Sequence, residues 1–245
     1  MELRLNRFLS AAGLGSRRAV EAFVLAGRVR INGEIVRDLA TRVDGDRDEV
    51  HFDDRLVVAR AAGRILLYHK PVGVVCSFRR QGDSRCLAEV FQDEFRDLRL
   101  FHIGRLDRDS SGLLLLGDDG DLANALTHPS HPVWKCYRVR ATGQLSDDSL
   151  EDLRAGRFEL DSKPCLPARI EQVASEPKAY NIQLREGRNR QIRRIFEASG
   201  LRIVSLHRYA IGPLELGQLP SGKWRDATPA ELASLCDAAG LTPRQ

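Results

Sequence analysis

The chain of 245 residues is long enough for one domain with a small appendage, and 42% hydrophobic and 29% charged residues suit a globular protein with a real core. Basic residues outnumber acidic ones by 38 to 34, and 33 of the 38 are arginine, whose planar fork grips phosphate at two points; a GC-rich genome produces the same bias. No secretory leader follows Met1-Glu2-Leu3-Arg4, the longest aliphatic run (Leu113 to Leu116) is far short of the ~20 residues of a membrane span, and Cys76, Cys86, Cys136, Cys165 and Cys236 lack any Cys-x-x-Cys pair, which excludes a disulfide framework or zinc ribbon and makes the cytoplasm the expected location.

Leu5, Phe8, Leu9 and Ala12 recur at helical spacing until Gly13-Leu14-Gly15 breaks the pattern. Ser16 is placed to cap a second helix carrying Ala19, Val20, Phe23 and Val24 on one face, ended by Gly27. Val29-Arg30-Ile31 and Glu34-Ile35-Val36 flank Asn32-Gly33, the turn a twisted hairpin favours. Residues 1–37 hold seven arginines and three acids, a net +4. Arg17 and Arg18 stand in a first helical turn, where the helix dipole disfavours cations and a bound phosphate would remove the conflict. With Arg4, Arg7, Arg28 and Arg30 they form a candidate RNA-binding patch.

Residues 38–60 reverse the balance to −3, with seven acids and four arginines. Asp44-Gly45-Asp46-Arg47-Asp48 lacks the sixth-position glycine and closing glutamate of a calcium loop and reads as a solvated acidic turn. A small-residue stretch predicts a linker at about 57–64, dividing the chain into domains 1–60 and 61–245. Beyond it, Ile65–Tyr68, Leu113–Leu116, Tyr137–Val139 and Asn181–Leu184 read as strands. Helices are predicted near 121–127, 147–154, 189–199 and 229–238, an α+β pattern without βαβ alternation. His128 and His131, the one close histidine pair, are interrupted by Pro129, so no metal site is expected.

Two segments concentrate chemistry. In Gly104-Arg105-Leu106-Asp107-Arg108-Asp109-Ser110-Ser111-Gly112, a polar loop feeds an aliphatic strand, and two carboxylates lie beside arginines that can keep them ionised as nucleophile or base. Paired surface charges would look the same. From 185 to 208, seven arginines face two glutamates. Helical spacing buries Ile192, Ile195 and Phe196, points Arg190 and Arg194 outward as phosphate contacts, and sets Arg193 on the border, where it can reach a half-buried carboxylate. Tyr137 in Lys135-Cys136-Tyr137 is a stacking platform for a base or a core tyrosine.

Lys70-Pro71-x-Gly73, Gly104-Arg105-Leu106-Asp107-x-x-Ser110-Ser111-Gly112-Leu113-Leu114, Lys135-x-Tyr137 and Gly187-Arg188-Asn189-Arg190-Gln191-Ile192-Arg193-Arg194 occur in the order found in the RsuA-like family of bacterial ribosomal RNA pseudouridine synthases, which the chain resembles over nearly its whole length. Ser110 stands where many relatives carry threonine, and the chain ends soon after its last helix without the basic tail of some relatives. The resemblance implies a small S4-like helix–helix–hairpin domain before a synthase domain with a mixed, mainly antiparallel sheet flanked by helices. It implies isomerisation of uridine in ribosomal RNA or its assembly intermediates, with Asp107 catalytic, Tyr137 against the target base and Arg193 paired with Asp107. Leu106 would help to dry the site, Arg105 would hold the flipped nucleotide or fill its stack, and Lys135, Arg188, Arg190 and Arg194 would contact RNA. No cofactor, metal or membrane is required, and a monomer is expected. The alternatives are an RNA-binding or ribosome-assembly protein whose catalysis has lapsed, and a magnesium-dependent aspartyl phosphatase, echoed by Asp107-Arg108-Asp109.

Overall fold

The computed structural model describes residues 2–58, 64–80, 82–91, 100–128 and 133–241. After β1 (Glu2–Arg4), the predicted spacing forms α1 (Leu5–Ala11), which buries Leu5, Phe8 and Leu9. The Ser16 hydroxyl accepts the Ala19 N–H at 3.2 Å and caps α2 (Arg17–Leu25), whose Val20 and Val24 pack into the same small core. The hairpin of β2 (Val29–Ile31) and β3 (Glu34–Val36) turns through Asn32 and Gly33 at φ 51° and 88°, the left-handed pair that matches strand twist. β4 (Arg42–Asp44) pairs with β1, while β5 (Val50–Phe52) and β6 (Arg55–Leu56) extend the hairpin to a four-stranded sheet. Val57 still belongs to this unit: its N–H donates to the Val50 carbonyl at 2.8 Å and its side chain packs on the core. The predicted linker therefore begins after Val57, and its middle (59–63), with the predicted domain boundary, lies outside the described residues.

Next in chain order are β7 (Ile65–Lys70), α3 (Leu87–Val90), β8 (Phe101–Ile103), β9 (Ser111–Gly117), α4 (Gly120–Thr127), β10 (Lys135–Ala141), α5 (Asp147–Ala155), β11 (Glu159–Leu160) and β12 (Lys163–Pro164). They are followed by β13 (Arg169–Val173), β14 (Glu176–Leu184), α6 (Gln191–Ala198), β15 (Ile203–Ile211), β16 (Leu214–Glu215), β17 (Trp224–Asp226) and α7 (Pro229–Ala238). A nine-stranded sheet runs β13-β14-β10-β15-β9-β7-β17, with β16 on β15 and β8 on β9. Among the described residues of this sheet only the β15–β9 pairing is parallel, which makes it mixed and mainly antiparallel.

Strand β9 explains the aliphatic run. Leu114 and Leu116 join Leu66, Tyr68 and Val139 on one face, whereas Leu113 and Leu115 join Ile65, Leu67 and Ile103 on the other. A central strand covered on both faces loses the alternation of a half-exposed one. Each leucine is fully buried, worth roughly 1.5–3 kcal/mol. The edges of β9 are divided unequally. β7 pairs along one edge from Ile65–Gly117 to Lys70–Gly112. The other edge is shared: β15 takes Ser111 and Gly112, and β8 takes Leu115 to Gly117. The polar loop between β8 and β9 is thereby held at the fork where β8 and β15 part.

Candidate active site

The fork loop is fastened through its backbone. Gly104 begins it at φ 72°. The Leu106 N–H donates to Cys76 Sγ at 3.4 Å, the Ser110 N–H to the Asp107 carbonyl at 3.1 Å, and the Gly73 N–H to the Arg108 carbonyl at 2.7 Å. The Lys70-Pro71-Val72-Gly73 turn thus braces the loop. Lys70 itself is fully buried, and its Nζ donates to the carbonyls of Ser110 at 2.7 Å and Pro71 at 3.0 Å. Burial pushes the Lys70 ammonium down from its ordinary pKa, while Cys76, Asp109 and Asp107 act in the opposite sense.

Two more buried cations join it. Arg208 donates from Nε to the Leu113 carbonyl at 2.8 Å and reaches the Arg105 carbonyl at 3.5 Å, tying both ends of the loop. Arg193 Nη2 donates to the Asp109 carbonyl at 2.9 Å and Ser110 Oγ at 3.2 Å, and lies 3.2 Å from the Asp109 carboxylate. Its Nε stands 3.9 Å from Asp107, and Arg190 Nη1 stands 3.7 Å from Asp107 and 3.6 Å from Asp109. Asp107 keeps 32% of its side chain exposed against 8% for Arg193. A reachable carboxylate is thus backed by a buried guanidinium that desolvation makes a strong local charge.

Helix α6 departs from the spacing expected of it. Arg190 adopts a left-handed backbone at φ 47° and α6 starts only at Gln191, which is buried and donates from Nε2 to Glu186 at 2.5 Å. Burial of Gln191 beside Ile192 carries the inner face round to Arg193, so Arg193 is enclosed rather than bordering, and Arg190 turns toward the loop carboxylates instead of outward. Arg188 is also committed within the fold. It pairs with Glu186 at 3.1 Å and donates to the carbonyls of Leu160 at 3.1 Å, Lys163 at 2.9 Å and Pro164, which makes it a strut instead of a free contact for RNA. Arg194 does point outward, in a two-pronged pair with Asp161 at 2.7 and 2.9 Å.

A cleft of about 720 Å³ opens over this group, lined among others by Arg105, Leu106, Asp107, Lys135, Tyr137 and Ile192. That is room for a nucleotide. Leu106 and Tyr137 are buried in its wall, and Arg105 is exposed. Lys135 lies part-buried, reaching the Val133 carbonyl at 3.4 Å; burial and then Arg208 lower its pKa. The structure brings Asp107 and Tyr137 together at the cleft and sets Arg193 behind Asp107, whereas the roles of Lys70, Ser110 and Arg208 escape sequence reasoning. The Lys-Pro turn is the available signal for the first; a lone arginine in a strand gives none for the last.

Of the predicted RNA-binding arginines of the N-terminal unit, Arg4, Arg17 and Arg18 are exposed. Arg7 pairs with Asp121 of α4, and Arg17 lies 3.8 Å from the same carboxylate. Arg28 is stacked on Phe23 and Phe52 while paired with Asp53, so it is held as a structural element rather than a free cation. Arg30 bonds the Gly33 carbonyl at 3.3 Å and lies 3.6 Å from Asp54. His131 lies outside the described residues, and among those described no group of three or more histidine, cysteine or acidic residues is placed to hold a metal.

A small helix–helix–hairpin unit thus precedes a mixed-sheet domain that carries an arginine-backed aspartate over a nucleotide-sized cleft. Residues 3–50 match the S4 domain, and residues 64–198, more than half the chain, match the RNA pseudouridylate synthase family. The chain is 37% identical to an uncharacterized RNA pseudouridine synthase of Aquifex aeolicus, over 98% of its length and 96% of the relative's. It is 36% identical to the ribosomal large subunit pseudouridine synthase B of Escherichia coli O157:H7, over 99% and 86% of the two lengths. A crystal structure of a pseudouridylate synthase superposes with a TM-score of 0.68 at 31% identity, covering 95% of this chain and 99% of the other. The chain belongs to the RNA pseudouridylate synthase family, whose members convert uridine in RNA to pseudouridine. This assignment does not favour the phosphatase alternative, since the matched segment includes Asp107 and its loop.

Proposed function

We propose that this enzyme isomerises specific uridines in ribosomal RNA, free or in assembly intermediates, in the cytoplasm and as a monomer, with Asp107 as its catalytic residue. The carrying observation is that Asp107 stands half-exposed at the cleft wall while Arg193, buried behind it, points its guanidinium at the same loop. The chain divides functionally near residue 60, an S4 unit anchoring RNA and the remainder performing the reaction.

The reaction breaks the bond between ribose C1′ and uracil N1, turns the base, and forms a bond from C1′ to C5. The C5 proton is then lost and N1 carries one instead, so no electrons and no atoms are exchanged with a co-reactant. The chain must take the uridine out of its stack, at roughly a few kcal/mol. It must then hold the detached base and accept or donate charge at Asp107. Tyr137 and Leu106 supply apolar walls for the base, Arg193 and Arg190 hold the Asp107 anion, and Arg105 fills the vacated stack or holds the turned-out nucleotide. Lys135 is left for the RNA backbone, and Arg194 would contact it only by leaving its pair with Asp161.

Purified enzyme incubated with ribosomal RNA lacking modification is expected to form pseudouridine, detected by chromatography of the digested nucleosides. Asp107→Asn is expected to form none while retaining RNA on a filter as well as the parent. Activity in Asp107→Asn would overturn the mechanism. Pseudouridine maps of ribosomal RNA from cells with and without the gene would name the target.

A further inference from the structure

Strand register brings together three residues that the reaction does not use. Lys135 pairs with Leu184, so Trp134, one residue earlier, and Arg185, one residue later, meet at the end of the β10–β14 pair. Arg169 pairs with Gln183, which in turn pairs with Cys136. Side chains two apart on a strand share a face, which puts Arg169, Arg185 and Trp134 side by side. The guanidinium carbons of Arg169 and Arg185 lie 4.4 and 4.8 Å from the Trp134 ring centre.

Both arginines are exposed, and Trp134 is part-buried. Among the described residues no carboxylate pairs with either arginine; the one side-chain acceptor is Gln183 Oε1, 3.5 Å from Arg169. This contrasts with Arg28, Arg64, Arg157, Arg194 and Arg225, each answered by an acid. Two like charges drawn to one indole repel each other, and the attraction of the ring for each is weak at an exposed site. An anion between or beside them would resolve the conflict, and guanidinium forks suit a phosphodiester. Arg185 also lines the cleft that holds Asp107, so the pair lies where a strand leading to the target nucleotide would run.

We propose that Trp134, Arg169 and Arg185 form a phosphodiester-binding site at the edge of the active-site cleft, with the indole holding both guanidinium groups ready for the RNA strand that flanks the target uridine. The proposal rests on the enzyme acting on RNA and adds a place where the substrate backbone is held.

The chain has two tryptophans, Trp134 and Trp224, so Trp224→Phe leaves the fluorescence of Trp134 as a reporter in the full-length protein. Titration with oligouridylate is expected to change that fluorescence saturably. In Arg169→Ala/Arg185→Ala, checked for an unchanged melting curve, affinity at 0.1 M salt is expected to fall on the order of tenfold. The slope of log affinity against log salt should become shallower by about 1.4, or 0.7 for each single-strand phosphate no longer neutralised. Trp134→Phe, which keeps an aromatic face, should lose less affinity than Trp134→Ala. An unchanged salt slope and affinity in the double variant would overturn the site, whether the arginines merely shield the indole or meet a protein instead. Pseudouridine formation in ribosomal RNA by the parent, run in parallel, separates the two failures. If the parent modifies ribosomal RNA and the slope is unchanged, only this site falls. If the parent forms no pseudouridine, the ribosomal RNA reading falls as well.

Discussion

Arg193 reaches Asp107 with its Nε at 3.9 Å, beyond hydrogen-bonding distance, and that nitrogen is buried without a hydrogen-bond partner, while Nη2 is fully engaged with Asp109 and Ser110. The guanidinium is therefore anchored by the loop backbone and offers its remaining side to Asp107, which stays free to move toward a substrate. Removing Arg193 leaves Asp107 and Asp109 partly exposed with Arg190 still within 4 Å, so the cost falls below the about 3–5 kcal/mol of a fully buried pair. Arg193→Met is expected to lower kcat by roughly 100-fold, at about tenfold per 1.4 kcal/mol. Arg193→Lys keeps the charge but loses the fork, and should recover only part of the rate. Equal kcat for Arg193→Met and the parent in a single-turnover assay would refute the role.

Arg190 holds a left-handed backbone that a non-glycine residue adopts at a cost of order 1 kcal/mol, at the point where α6 begins. Its guanidinium lies within 4 Å of both loop carboxylates. Arg190→Gly is expected to hold or raise the melting temperature, since glycine takes this φ freely, while lowering activity. A variant both less stable and fully active would contradict the view that strain here serves the site.

The helices and strands are largely legible because their signals are local. Ser16 caps α2, Asn32-Gly33 turns the hairpin, and Leu113–Leu116 form a strand covered on both faces. The placement of Asp107 and Tyr137 in one cleft, with Arg193 behind Asp107, follows from motif resemblance, since the periodicity of a single segment says nothing about its neighbours. What stays hidden depends on pairing between distant strands. Arg208 is an unremarkable arginine until β15 is set beside Gly112, and Lys70 looks like a surface residue until the Ser110 carbonyl closes over it. The inward turn of Arg190 and Arg193 escapes helical spacing counted from residue 189, because the left-handed backbone of Arg190 delays the helix to Gln191.

Gly112 marks the tightest point of that hidden pairing. Its φ is 110°, and a Cβ there would sit 2.1 Å from the Arg208 carbonyl oxygen and 2.6 Å from its nitrogen, both backbone atoms that cannot turn aside. Gly112→Ala is expected to destabilise the protein by about 3 kcal/mol or more, through backbone strain and the parting of β9 from β15. Ser111, whose Oγ lies 3.0 Å from His207 Nδ1, should tolerate alanine far better. Denaturant titrations of the two variants give the comparison, and a Gly112→Ala midpoint equal to that of the parent would disprove the close approach.

Glu231 gives a test of stability against pH at a distance from the cleft. Its carboxylate accepts both prongs of Arg225 at 2.6 and 2.7 Å and the Thr228 N–H at 2.9 Å, while Thr228 Oγ1 accepts the Glu231 N–H at 3.2 Å, closing a capping box on α7. Above all the Arg225 pairing holds the Glu231 carboxyl well below the usual range, at about 2. α7 in turn packs Leu235 and Cys236 into the core that holds Leu113 and Leu115. A carboxylate whose folded pKa lies below its unfolded one stabilises the fold fully above the unfolded value, and loses that contribution as pH falls toward the folded value. Glu231→Ala should therefore cost about 1–2 kcal/mol at pH 7, the range for loss of a helix cap. The gap in melting temperature between parent and variant should shrink as pH falls from about 4.5 toward 2. A gap that stays constant down to the acid limit would show that the carboxylate's charge has no part in holding α7.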